Sequence, residues 1–196
     1  MKKVRNVGYQ VIRPLLKIFI VLTLNPKTIN KNNIPKKGGY ILAGSHGSNY
    51  DPIIVGNSTT RSIHFLAKKE LFNNIFLGAI LRFMGIISVD RKSKDKTDTK
   101  EQAIEALKEG KVICIFPEGT RNRTNDLIMP FKFGAVSFAK KSGCPIIPFA
   151  ITPHPKTFRY KTKMIIGKPF YVKENDDLEE ANKKFEDIVR DLLKKL

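Results

Sequence analysis

Tryptophan is missing altogether, and the 196 residues hold only two cysteines and three histidines. With no tryptophan and no aromatic strand of the RNP kind, the stacking platforms of a nucleic-acid-binding module are lacking, so nucleic acid is not an expected partner and a basic nucleic-acid-binding protein stays only as the alternative of a different class. Cysteine is too rare for a disulfide framework and forms no Cys-x-x-Cys pair, which points to a reducing compartment. Cys114 falls inside the apolar run Val112 to Phe116, and Cys144 precedes a proline. His46, His64 and His154 are scattered without metal-ligand spacing, so neither a metal nor another cofactor is expected. Acid is scarce as well: 18 Asp and Glu stand against 36 Lys and Arg, a net charge of +18. No acid precedes Asp51, whereas Lys2, Lys3, Arg5, Arg13, Lys17, Lys27, Lys31, Lys36 and Lys37 all do. Half of the net charge therefore sits in the first quarter of the chain, which suits an anionic surface. A long hydrophobic run is also absent: the longest clean one near the N-terminus is Ile18 to Leu22, against ~20 apolar residues for a membrane span.

What the N-terminal segment does have is helical periodicity. Lys3, Asn6, Gln10, Arg13 and Lys17 form one polar stripe, and Val4, Val7, Val11, Ile12, Leu15, Leu16, Phe19 and Leu22 cover the remainder. A basic stripe beside a broad apolar face is the pattern of a helix lying in a membrane interface. The competing reading is a helix packed on the protein's own core. Pro14 should kink the helix or split it. Asn25-Pro26-Lys27 follows where a signal peptide would carry small residues for cleavage, so a cleaved leader is not expected. Residues 1–30 are thus assigned as a basic amphipathic membrane-associating segment, and residues 31–196 as one domain.

Beyond residue 38, strand and helix patterns alternate. Tyr40–Ala43, Ile63–Ala67, Ile86–Val89, Val112–Phe116, Ile146–Ile151 and Lys163–Ile166 read as strands. Residues 98–109 read as a helix ended by Gly110, and Phe133–Lys141 as one ended by Gly143. A last helix places Leu178, Ala181, Phe185, Ile188, Leu192 and Leu196 on one face, with Asp177 and Glu180 as a capping box. Eight of the 18 acids lie between Glu174 and Asp191, as a solvated helix face requires. The fold class expected is α/β, a central and mostly parallel sheet covered by helices.

Two blocks carry chemistry. His46 follows the first strand of this region, and Asp51-Pro52 reads as a helix N-cap with proline at the first helical position. An imidazole can take up a proton at neutral pH, and a carboxylate on its Nδ1–H would leave Nε2 as the free base. The spacing alone is equally that of a carboxylate that only caps its helix. Ser45 and Ser48 sit in no nucleophile elbow, and a base without a protein nucleophile suggests a substrate that brings its own, such as a hydroxyl. The second block, Phe116-Pro117-Glu118-Gly119-Thr120-Arg121, ends a buried strand in a turn and then presents an arginine fork suited to phosphate. Arg91 follows another predicted strand end. Ligands gather at the carboxyl ends of strands in α/β sheets, so His46, Arg91 and Arg121 are expected along one sheet edge.

In this order the blocks resemble those of the glycerolipid acyltransferase family, in particular its members that acylate 1-acyl-glycerol-3-phosphate. The likeness covers about residues 40–151. It rests on His46 and Asp51 as the His-x4-Asp motif and on Lys68-Lys69-Glu70-Leu71 with Gly85 to Arg91. Phe116 to Arg121, Phe131-Lys132-Phe133-Gly134 and Ile147-Pro148 complete it. The resemblance implies that His46, oriented by Asp51, activates the sn-2 hydroxyl of lysophosphatidic acid for attack on an acyl thioester. It implies phosphate binding by Arg121, Lys68 and Arg91, and an acceptor site shaped by Glu118, Gly119 and Thr120. The partners implied are lysophosphatidic acid, an acyl carrier protein or acyl-coenzyme A, and a membrane surface on its cytoplasmic face. Related acceptors, glycerol-3-phosphate or another lysophospholipid, fit the same motifs.

Overall fold

The computed structural model describes residues 7–90, 97–158 and 162–196. Its framework is a seven-stranded sheet in the order β1-β7-β6-β2-β5-β3-β4. The strands are β1 (Lys27–Ile29), β2 (Tyr40–Gly44), β3 (Ile63–Lys68), β4 (Ile87–Val89), β5 (Val112–Ile115), β6 (Ile146–Ile151) and β7 (Lys163–Ile166). Every neighbouring pair is parallel except β6 with β7. The five strands from β6 to β4 therefore run one way and bring their carboxyl ends to a common edge. The helices are α1 (Val7–Thr23), α2 (Asp51–Ser58), α3 (Ile75–Phe83), α4 (Thr97–Lys108), α5 (Gly134–Ser142) and α6 (Leu178–Leu193).

The central strands are buried on both faces because neither face of their sequence is polar. In β2, Ile41 and Ala43 enter one core with Ala103, Leu107, Val136 and Phe185 from α4, α5 and α6. Tyr40 and Leu42 enter the opposite core with Tyr9, Ile20 and Ile54 from α1 and α2. The two-residue period of a strand thus divides one apolar run between two helical layers. The period of α6 sends Ala181, Phe185, Val189 and Leu192 inward, and Asp177 caps it by accepting from the amides of Glu179 and Glu180.

Three local expectations change. The helix α1 runs unbroken through Pro14 rather than splitting. Strand β1, too short to show a period, lies within residues 1–30 and pairs with β7, so the sheet reaches back into the assigned N-terminal segment. Asp51 is not an N-cap: it is the first residue of α2, and its carboxylate turns back to the loop before the helix.

Candidate active site

The site begins where β2 stops. All five residues of this strand are buried, and Ser45, just beyond it, fixes the exit by accepting from the Ile151 amide. The chain then turns through residues 46–50 into α2. Asp51 Oδ2 gathers the turn: it accepts from the amides of Gly47 and Ser48, both at 2.8 Å, and lies 2.9 Å from His46 Nδ1. An ionised Asp51 can only accept, so His46 Nδ1 carries the proton and Nε2 keeps its lone pair. The imidazole is further held by the Phe116 ring, stacked at 4.1 Å between centroids.

Glu118 supplies a second support, from a different strand. Its side chain is buried, and each oxygen takes one backbone donor: Oε1 from the His46 amide at 2.8 Å, Oε2 from the Met129 amide at 2.9 Å. The His46 carbonyl in turn accepts from the Asn122 amide at 2.7 Å. Both backbone polar groups of His46 are therefore tied to the loop after β5. Burial pushes the Glu118 carboxyl above the usual carboxylate range, with the Met129 and His46 amides working against that shift.

Between His46 and the elements α1, α2 and α3 lies a cavity of about 540 Å³. Its wall is apolar over much of its extent, with Ile53, Phe65, Leu81 and Met84 among the lining residues. The polar lining includes His46, Lys68, Thr120 and Arg121. Lys68 ends β3, and Arg121 follows the turn after β5, so parallel strands deliver both. Among the described residues, Arg121 has no ion-pair partner. Gly119 sits in the left-handed region at φ 74°, which glycine adopts without strain; a Cβ there would lie 2.8 Å from Lys132 Nζ. The lysine thus lies over the turn that presents Thr120 and Arg121.

The structure brings His46, Lys68, Gly119, Thr120 and Arg121 to one cavity, with Asp51 bonded to His46. Glu118 is the exception, since it is absent from the cavity wall and acts on backbone amides behind the imidazole. Arg91 lies outside the described residues. Sequence reasoning gave no separate role to Phe116, which opens the motif and stacks on the imidazole, to the backbone amide of Asn122 just after it, or to Tyr9 and Arg13, which reach the cavity from α1. Arg13 belongs to the polar stripe of that helix, yet it donates to the carbonyls of Thr59 and Thr60. His64 is a core residue bonded through Nδ1 to the Gly85 carbonyl at 2.9 Å. No helix among the described residues is long and apolar enough to cross a membrane.

An Acyltransferase family model matches residues 25–152. The 1-acyl-sn-glycerol-3-phosphate acyltransferase of Bacillus subtilis is 34% identical over 168 residues, a match covering 83% of this chain and 82% of that protein. The proteins of the same name from Borreliella burgdorferi and Saccharomyces cerevisiae are 38% and 34% identical, over 61% and 68% of this chain. Those two matches span about half of the relative, 48% and 45%. The crystal structure of the 1-acyl-sn-glycerophosphate acyltransferase from Thermotoga maritima shares the fold, with a TM-score of 0.73 over 95% of this chain and 77% of that one, at 24% identity.

Proposed function

Because this chain belongs to the Acyltransferase family, we propose that it moves a fatty acyl group from an acyl thioester to the sn-2 hydroxyl of 1-acyl-glycerol-3-phosphate, giving phosphatidic acid. The observation that carries the reading is the His46–Asp51 pair, 2.9 Å apart, beside a largely apolar cavity that also takes in Arg121 and Lys68. The relatives' names supply the acceptor.

In this mechanism His46 Nε2 takes the proton from the sn-2 hydroxyl as its oxygen attacks the thioester carbonyl. Asp51 stabilises the imidazolium that forms. The tetrahedral oxyanion then collapses, the carbon–sulfur bond breaks, and the thiolate leaves with the proton returned by His46. General base catalysis of this kind contributes ~10²–10⁴ in rate. Arg121 and Lys68 hold the phosphate, the arginine through its planar fork. Gly119 and Thr120 complete the acceptor end, and the apolar wall takes the acyl chain. The donor is an acyl carrier protein or acyl-coenzyme A, both anionic and suited to a chain of net charge +18.

The reaction takes place at the cytoplasmic face of the cell membrane. Support comes from α1, which leaves Val11, Leu15, Ile18, Phe19 and Leu22 exposed. The same helix turns Tyr9 and Ile20 inward, so it packs on the core and still presents an apolar side.

The test is transfer from labelled acyl-coenzyme A and acyl carrier protein to a panel of acceptors, with His46→Ala alongside. Lysophosphatidic acid should be acylated by the parent, and the variant should be at least ~10²-fold slower with its fold intact. Transfer confined to glycerol-3-phosphate or another lysophospholipid would keep the mechanism and change the acceptor. Full activity without His46 would remove the base.

A further inference from the structure

Helix α3, like α1, keeps large apolar side chains outside the core. Eight of its nine residues, Ile75–Phe83, are apolar, and only Arg82 is charged. Such a helix ordinarily disappears into a core. Here only Gly78 is buried, while Ile75 and Phe76 are 82% and 83% exposed and Ile80 and Phe83 are 48% and 52% exposed. The helix is nonetheless well anchored. Asn74 caps it by accepting from the Leu77 amide, and Arg82 donates to the Phe72 carbonyl.

It also lies against α1. Gly8 sits where the two meet: a Cβ there would collide with the Phe83 carbonyl and ring, so glycine is what lets the backbones approach. Leu15, Ile18 and Leu22 are exposed on one of these neighbouring helices, and Ile75, Phe76 and Phe83 on the other. Exposed large apolar side chains concentrated on two helices in contact are more than scattered exposure and mark an interaction site.

We infer that α3 is a second membrane-inserting element, which with α1 seats the protein in an anionic leaflet and places the cavity against it. The inference rests on the proposed membrane reading and assigns it a residue-level partner for α1. Charge selects lipid over another protein as the occupant. Neither helix carries an acid, and exposed Lys17 and Arg82 stand among the apolar side chains, in position for phosphate headgroups. The cavity wall takes Leu16 and Lys17 from one helix and Leu81 from the other, so acyl chains in the leaflet lie next to the space that accepts them.

The chain has no tryptophan, so Phe76→Trp installs a single reporter at an exposed position. The full chain carrying it is mixed with phosphatidylglycerol–phosphatidylcholine vesicles. Its emission should shift to the blue, and vesicles with brominated acyl chains should quench it. In parallel, the Ile75→Ser, Phe76→Ser double variant should bind those vesicles ~10-fold or more weakly by flotation. An unshifted tryptophan on protein that still floats would overturn the role of α3 and leave α1 as the sole anchor. Failure of the unsubstituted chain to float would overturn both. A blue shift that rises with protein concentration in the absence of vesicles would assign the surface to a second copy of the chain and overturn the lipid inference.

Discussion

At the scale of single residues, the candidate base is held by three independent devices. Asp51 fixes the tautomer, Phe116 covers the ring, and Glu118 with Asn122 ties down the backbone. Glu118 is the instructive one. A motif of this kind invites the expectation that its carboxylate meets substrate, but both oxygens are spent on amides. Glu118→Gln keeps the shape and turns one acceptor into an NH2 facing an amide N–H. That conflict should move His46 rather than the acceptor pocket. The expected result is a kcat ~10- to 100-fold lower with KM for both substrates little changed. A rise in KM for the phosphorylated acceptor at constant kcat would instead return Glu118 to the substrate.

At the scale of elements, the parallel strands explain why distant motifs converge. Residue 46 lies just beyond β2, residue 68 ends β3 and residue 121 follows the turn after β5, and those strands run together in the order β2-β5-β3. Strand β3 also carries His64, whose ring is buried against the Gly85 carbonyl just before β4. Burial holds this imidazole below its usual value, with its bond to Gly85 opposing the shift. The unfolded chain therefore binds a proton near pH 6.5 that the folded chain refuses. The His64 contribution is complete above pH 6.5 and is lost as pH falls below it. In His64→Asn, which retains a donor near the Gly85 carbonyl, the drop in urea midpoint from pH 7.5 to pH 5 should shrink. An unchanged drop would place that sensitivity elsewhere.

At the scale of the whole molecule, charge and apolar surface act together. The net charge of +18 attracts the chain to anionic lipid over distances that salt screens, whereas the exposed side chains of α1 act only on contact. The Debye length falls from ~10 Å at 0.1 M to ~3 Å at 1 M salt. Vesicle binding should accordingly weaken as salt rises and level off above zero. Complete release at 1 M salt would mean that apolar insertion contributes nothing, and no dependence on salt would mean the same of charge.

Much of this was legible in the chain. The strands β2, β5, β6 and β7 follow from short apolar runs, and α4, α5 and α6 from periodicity and terminal signals, because burial forces those patterns. His46, Asp51 and Arg121 stand out because their spacing is tied to strand ends. Other features depend on long-range packing and have no local signal. Tyr9 and Arg13 line the cavity because α1 packs beside α2, and Glu118 supports His46 across 72 positions of sequence. The exposed face of α3 is hidden for the same reason, since apolar content alone does not say which face of a nine-residue segment its neighbours cover. The sequence by itself determined the α/β class, the motif chemistry and the basic charge, which are properties of local pattern and composition. Only the tertiary structure decided which carboxylate touches the imidazole, which one stands behind it, and which apolar residues stay outside, because contact and burial are set by how distant elements pack.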